Sequence, residues 1–346
     1  MFTVDAKELR SAAHRVLKST DKRGAAWANN AYFTFKDGKL SIGVNTGAIL
    51  TVTNRIPVIL DEEPKPFAVN AKMLYESIKG MSKRVRVRVE GNNVIVNDGV
   101  ISAFLDLENS DYFEREPMNV GVSLRMNVKN FRNMIKPYVK IALRNNSIRP
   151  LLRSIELKGN SLTATDGYHL LHDTLLFGGG VETNVLIDAR GVKTALSVLT
   201  GLSGEVFVRC DDGLVELSCG NVLIHVLALE GRYPDYTDVF NKPITRFLCK
   251  TAELLEVFKK LSKLDNTIVK VVIDEGVVDI TSLDGETISV VEHRLGDCDS
   301  FHIDAKLFKN VLEGVTEDRV TFGVNDGTLQ VRAGWGLKSV IMLCKV

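Results

Sequence analysis

The chain repeats itself, and that feature limits its possible folds more than any other. A four-residue signature, apolar then polar then small then basic, recurs as Val4-Asp5-Ala6-Lys7, Val69-Asn70-Ala71-Lys72, Met126-Asn127-Val128-Lys129, Ile187-Asp188-Ala189-Arg190 and Ile303-Asp304-Ala305-Lys306. Cys249-Lys250-Thr251-Ala252 is a degenerate sixth copy. Successive starts lie 65, 57, 61, 62 and 54 residues apart, so six half-units fill the 346 positions with none missing.

In most copies an Asp or Asn precedes an apolar-periodic run, placed to accept from the orphan N–H groups of a first helical turn. Each copy therefore predicts a helix of roughly three turns. Leu9, Ala13, Val16 and Leu17 mark the apolar face of the first helix, and Leu307, Phe308, Val311 and Leu312 that of the last. Two alternating runs joined by a tight turn follow each helix, as in Phe33-x-Phe35 with Asp37-Gly38, Val85-x-Val87-x-Val89 with Gly91-Asn92, and Val320-x-Phe322 with Asp326-Gly327. Such turns are hairpin signals. The same place is held by Gly159-Asn160, Asp212-Gly213 and Glu275-Gly276 in the other copies. Helices on one face of antiparallel sheets give an α+β fold. A single sixty-residue unit has little core, so two half-units per domain are expected, giving domains 1–119, 120–243 and 244–346. Six amphipathic helices do not fit the four-stranded blades of a propeller.

The helices share a charge pattern. Arg10, His14 and Lys18 fall at i, i+4 and i+8 in the first, on one stripe. Lys72, Lys79 and Lys83 form the second stripe, and Lys129, Arg132, Lys136 and Lys140 the third. Arg190 with Lys193, Lys260 with Lys263, and Lys306 with Lys309 continue it. One basic stripe is ordinarily a solvated face; six in matching positions are different. If the repeat closes into a ring with helices inward, the stripes line a hole. Lys+Arg 44 against Asp+Glu 43 leaves a net charge of only +1. Binding by bulk positive charge is excluded, and segregated charge would touch phosphates weakly, without reading bases.

Other classes find little support. His169-x-x-His172 beside Asp166 lacks a third metal ligand at useful spacing. No G-x-x-x-x-G-K-[ST] occurs, and Gly178-Gly179-Gly180 reads as a loop. The five cysteines are widely spaced with no C-x-x-C pair, as expected of reduced thiols. MFTVDAKELR has no apolar signal region, and no stretch reaches the roughly 18 apolar residues of a membrane span. A cytoplasmic protein with no enzyme activity, cofactor, metal or membrane partner is expected.

Ala164-Thr165-Asp166-Gly167-Tyr168-His169-Leu170, followed by Gly231-Arg232-Tyr233-Pro234-Asp235-Tyr236, resembles the middle domain of the bacterial DNA polymerase III beta subunit (sliding clamp) family. The similarity spans the chain, down to an apolar C-terminal strand from Val340 to Val346. It implies the DNA clamp fold and a head-to-tail homodimeric ring around duplex DNA. It also implies a pocket between the second and third domains for peptides of the replicative polymerase, the clamp loader and repair proteins. Matched by position, that pocket is Leu152, Thr165, Gly167, Tyr168, His169 and Leu170, with Pro234 and Val239, and the strand residues Val340, Ile341, Met342 and Leu343. The family also implies DNA contacts at Lys22, Arg23 and Arg149, and a dimer seam with Phe104 and Leu105 on one side and Leu264 on the other. This chain departs from the family at Tyr168-His169, near Leu343 and near Asp238, so a different partner motif is expected. The competing reading is a clamp-fold scaffold for proteins that does not encircle DNA.

Overall fold

The computed structural model describes residues 1–109, 118–144, 150–174, 184–211, 213–240, 245–274, 277–283, 285, 287–291, 293–294, 298–315, 317–325, 327–333 and 337–344. The chain forms two compact units, Met1–Lys136 with Gly179–Glu230, and Pro137–Gly178 with Gly231–Val346.

All six helices start at the repeated signature: α1 Ala6–Ser19, α2 Ala71–Ile78, α3 Val128–Ala142, α4 Ala189–Val198, α5 Thr251–Leu261 and α6 Ala305–Leu312. Asp5 Oδ1 accepts from the N–H groups of Lys7 (2.8 Å) and Glu8 (3.1 Å). Asn70, Asn127, Asp188 and Asp304 accept from Lys72, Lys129, Arg190 and Lys306 in the same way. Each such cap is worth about 1 kcal/mol. Lys250 cannot do this; there the Thr251 N–H donates to Asp318 O (2.9 Å) and its hydroxyl to Glu317 O (2.6 Å). Two helices are shorter than the pattern predicts, α2 and α6 having 8 residues each.

Each copy carries three strands after its helix rather than two. In the first copy Asn30–Lys36, Lys39–Asn45 and Ile49–Leu60 form a meander. Asp37 and Gly38, with φ of 52° and 68°, make its first turn, the left-handed pair a two-residue hairpin needs. The third strand is absent from the two-strand pattern read for each copy.

Third strands also join one copy to another. In the first unit, Ile49–Leu60 of copy one pairs antiparallel with Val222–Leu229, the last strand of copy four, in the register Thr53↔Val222 to Ile49↔Val226. In the second unit, His169–Thr174 of copy three pairs with Leu337–Met342, the last strand of copy six, from His169↔Ile341 to His172↔Lys338. Copies two and five differ. Among the described strands, the last strand of copy two, Ser102–Asp106, pairs only with Asn93–Asn97. The third strand of copy five, Thr287–Val291, likewise pairs only with Val277–Ser282 among them, and the two-residue strand His293–Arg294 after it pairs with Thr245–Lys250.

Helices pack in pairs over these sheets, α1 with α2 and α5 with α6. Beneath the first pair Leu9, Val16, Leu74 and Ile78 meet Phe2, Phe33 and Val85. Beneath the second, Phe258 and Phe308 stack edge-on at 4.5 Å above Phe322. Leu17 and Leu307 are only half-buried, at the margin of their apolar faces. Among the described residues no helix is long and apolar enough to cross a membrane.

Candidate functional site

Two surfaces carry the predicted site residues, one in each unit. Apart from Lys140 and the bases of α5 and α6, every described residue of the expected basic stripes lies in the first unit. Arg149 falls outside the described residues.

The basic surface is built from α1, α2, α4 and the first part of α3. The α1 and α4 helices pack together, with Lys18 Nζ donating to Ser197 O at 3.1 Å. Burial, Arg15 and Arg132 together hold the Lys18 ammonium below the usual lysine range. Such crowding costs stability, and proteins keep it mainly where charge has a use. Lys72, Lys129, Lys136 and Lys193 are exposed. No described carboxylate lies within ion-pair distance of them, or of Lys18 and Arg132.

Several members of the predicted stripe are already engaged. Arg10 donates to the Met81 carbonyl, so much of its guanidinium supports the chain after α2. Lys79 lies 3.9 Å from Glu76, and Arg190 is paired with Asp188 at 2.9 Å. Lys83 is not on a helix at all: α2 ends at Ile78, and Lys83 sits in the bend before Arg84–Glu90 with φ 60°. The expected second stripe is thus reduced to Lys72 and Lys79, because the helix stops after two turns. His14 stacks on Tyr75 at 5.2 Å, and burial, then Lys18 and Arg15, lower its pKa, so it is neutral at pH 7. Lys22 and Arg23 are exposed in the loop after α1. Arg15 was missed by the stripe pattern; it is off that stripe, with its guanidinium 3.4 Å from Thr53 Oγ1.

The second surface surrounds the copy-three to copy-six strand junction. All twelve residues of the expected pocket fall in the second unit. Asp166 Oδ1 accepts from the N–H groups of Tyr168 (3.0 Å) and His169 (2.7 Å), while Gly167 takes φ 93°. This tight turn projects Tyr168 outward, 70% exposed, and its carbonyl accepts the Met342 N–H at 2.8 Å. Met342, Pro234 and Gly167 are also exposed, and Val239 and Leu343 are half-buried.

Leu152, Thr165, His169, Leu170, Val340 and Ile341 are buried and form the floor rather than a contact surface. His169 in particular bonds Ser339 Oγ at 2.7 Å, and burial with the Arg144 charge pushes its pKa down to about 3. His172, three residues along the strand, faces the other way and bonds Thr163 Oγ1 at 2.9 Å, so the two histidines do not converge on a metal. The apolar strand ends at Met342, not Val346; Cys344 forms an isolated bridge to His302.

A cluster of Tyr233, Tyr236, Phe240 and His172 flanks this floor, with ring centroids 5.5 to 6.3 Å apart. Tyr236 donates to Glu156 at 2.7 Å and accepts from Thr163. Burial, helped by Glu156, pushes its phenol up to about 12, so it remains a neutral donor. The Tyr233-x-x-Tyr236-x-x-x-Phe240 spacing was the signal for this cluster.

The seam residues divide. Phe104 is 67% exposed on the unpaired edge of Ser102–Asp106, whereas Leu105 is 3% exposed and faces the core. Leu264 lies in the turn after α5, half-buried against the core of the second unit, not on an edge strand.

No family model matches the chain. The Beta sliding clamp of Escherichia coli is 22% identical over 246 residues, covering 68% of this chain and 67% of that protein. A sliding clamp structure from Bacillus subtilis superposes with a TM-score of 0.88 over 100% of this chain and 99% of that one, at 17% identity. Caulobacter crescentus pol III beta gives 0.89 over the full length of both, at 14% identity. The fold is that of a beta sliding clamp. A further clamp structure, from Bartonella birtlesii and bound to griselimycin, matches at 0.86 and 16% identity. Within the expected pocket, burial separates the exposed residues from those beneath them.

Proposed function

We propose that this chain is a DNA sliding clamp: a non-catalytic homodimeric ring of three domains per chain, 1–119, 120–243 and 244–346. It encircles duplex DNA in the cytoplasm and tethers a replicative polymerase, a clamp loader and other partners.

One observation carries the reading. Among the described strands, the third strands of copies one and four pair, as do those of copies three and six, while those of copies two and five each pair on one side only. The repeat supplies one junction type and leaves one pair of edges unused. A second chain completes the pattern by joining Ser102–Asp106 of one copy to Thr287–Val291 of the other, in both directions. This would bury Phe104 and cover two edges that otherwise invite aggregation. On this reading the third strand of copy five is the edge that Ser102–Asp106 meets, while Leu264, the expected seam residue, lies in the turn after α5.

Lys18, Lys72, Lys129, Arg132, Lys136 and Lys193, which have no described carboxylate at ion-pair distance, would meet phosphates, and Lys22 and Arg23 would join them. Tyr168, Met342, Pro234, Val239 and Leu343 would take an apolar peptide anchor, worth roughly 1.5–3 kcal/mol when buried. Reversible exchange of partners suits that magnitude.

Sedimentation tests the ring. A mass near twice 38.3 kDa is expected, with Phe104→Glu reducing it to one chain. A strict monomer at micromolar concentration would refute the dimer. A dimer that is not retained on closed circular DNA would instead favour the scaffold reading.

A further inference from the structure

Trp27 is 46% exposed in the short 3-10 helix Ala26–Asn29 that leads from the turn after α1 into the strand Asn30–Lys36, and neither the fold nor the basic helices account for it. Its neighbours Lys22 and Arg23 are exposed, with no described carboxylate at ion-pair distance from either.

The loop is held in place. Asp21 accepts from the Arg23 N–H through Oδ1 (3.0 Å), and from the Gly24 N–H (3.1 Å) and the Asn29 side-chain amide (3.1 Å) through its carbonyl. Ala28 is buried and its N–H donates to Ala25 O, while the Tyr32 hydroxyl donates to Trp27 O at 3.3 Å. Gly47, with φ 82°, lies under the indole rim; a Cβ there would sit 3.5 Å from Cη2. A large aromatic is thereby presented on a fixed support, at little entropic cost to a ligand.

Ordinary surfaces seldom hold a half-exposed Trp beside two unpaired cations. Aromatic rings among cations are the elements of sequence-tolerant single-strand binding, where a nucleobase stacks on the ring and the cations hold its phosphates. Duplex bases are already stacked and cannot use it. From this geometry we infer that Trp27, with Lys22 and Arg23, is a stacking site for an unpaired base, such as the single-stranded overhang beside a duplex end. The inference rests on the proposed DNA role and adds a preference that encirclement does not supply.

The test uses a duplex with a single-stranded oligothymidylate overhang and a blunt duplex of equal charge. The chain has two tryptophans, so Trp335→Phe leaves Trp27 as the only indole reporter. The overhang substrate should quench its emission and the blunt duplex should not. In the otherwise native chain, Trp27→Ala should bind the overhang substrate on the order of tenfold more weakly, removing the preference, while Trp27→Phe retains most of it. This second comparison stands even if Trp335→Phe fails to fold. Equal quenching by both substrates, or an overhang preference that survives Trp27→Ala, would overturn the stacking site and leave the clamp reading intact. Failure of the native chain to bind the overhang substrate would overturn the stacking site, whereas the clamp reading stands or falls on retention by closed circular DNA.

Discussion

The two units draw on the same repeat yet use their positive charge differently. In the first, α4 has two bases and no acid, and α3 begins with Lys129, Arg132 and Lys136 without an acid between them. In the second, α5 sets Glu253 and Glu256 against Lys259 and Lys260, and Glu313 after α6 takes both Lys140 and Lys309 at 3.4 Å. Exposed pairs of this kind add little stability, so their main effect is to remove cations from the surface. In the first unit Lys79 and Arg190 are paired, but Lys72, Lys129, Lys136 and Lys193 have no described carboxylate at ion-pair distance, whereas the second unit exposes an apolar strip with an aromatic flank. A repeat fixes the backbone, and each copy's use is decided by a few acids.

Charge reversal probes that contrast most strongly. Lys72→Glu, Arg132→Glu and Lys136→Glu together should weaken binding to linear duplex most and lower its salt slope by about three. Lys260→Glu with Lys306→Glu, in the second unit, should lower it by less than about one. Equal losses, read by salt titration, would erase the distinction between the units.

The strip in the second unit should respond in the opposite way. Tyr168→Ala or Met342→Glu is expected to weaken partner-peptide binding about tenfold or more with DNA retention unchanged. Fluorescence anisotropy with a labelled peptide checks it, and unchanged affinity would place the groove elsewhere.

A smaller effect separates support from contact at the same strip. His169 has a folded pKa of about 3, below its ordinary value of 6.5. The unfolded chain therefore binds more protons between these values, and stability is full above pH 6.5 and falls as pH drops toward 3. The slope contributed is at most about 1.4 kcal/mol per pH unit. His169→Gln should flatten this part of the acid limb in denaturant unfolding; an unchanged slope would mean that the imidazole is not buried neutral. The smallest expected change concerns the one helix without a side-chain cap: Lys250→Asp should stabilise the second unit by a few tenths to about 1 kcal/mol in thermal unfolding.

What the sequence disclosed follows from the range of each interaction. Caps such as Asp5 and turns such as Asp37-Gly38 act within four residues, so the copies, helix starts and hairpins could be read directly. The stop of α2 at Ile78 is not anticipated by its apolar period, and Lys83 was carried onto a helix that had ended. Arg10 and His169 were misjudged for another reason: Met81 O and Ser339 Oγ lie 71 and 170 residues away in the chain. The pairing of third strands across copies joins residues far apart in the chain, as Thr53 with Val222, and no local pattern encodes it.

Topological linkage is the property that distinguishes a ring from a DNA-binding surface. The chain should be loaded on nicked circular plasmid, passed through a sizing column in high salt, and measured again after the plasmid is cut once. Retention on the circle and release on linearisation are expected; equal retention on both forms, or loss from both at the same salt, would contradict encirclement.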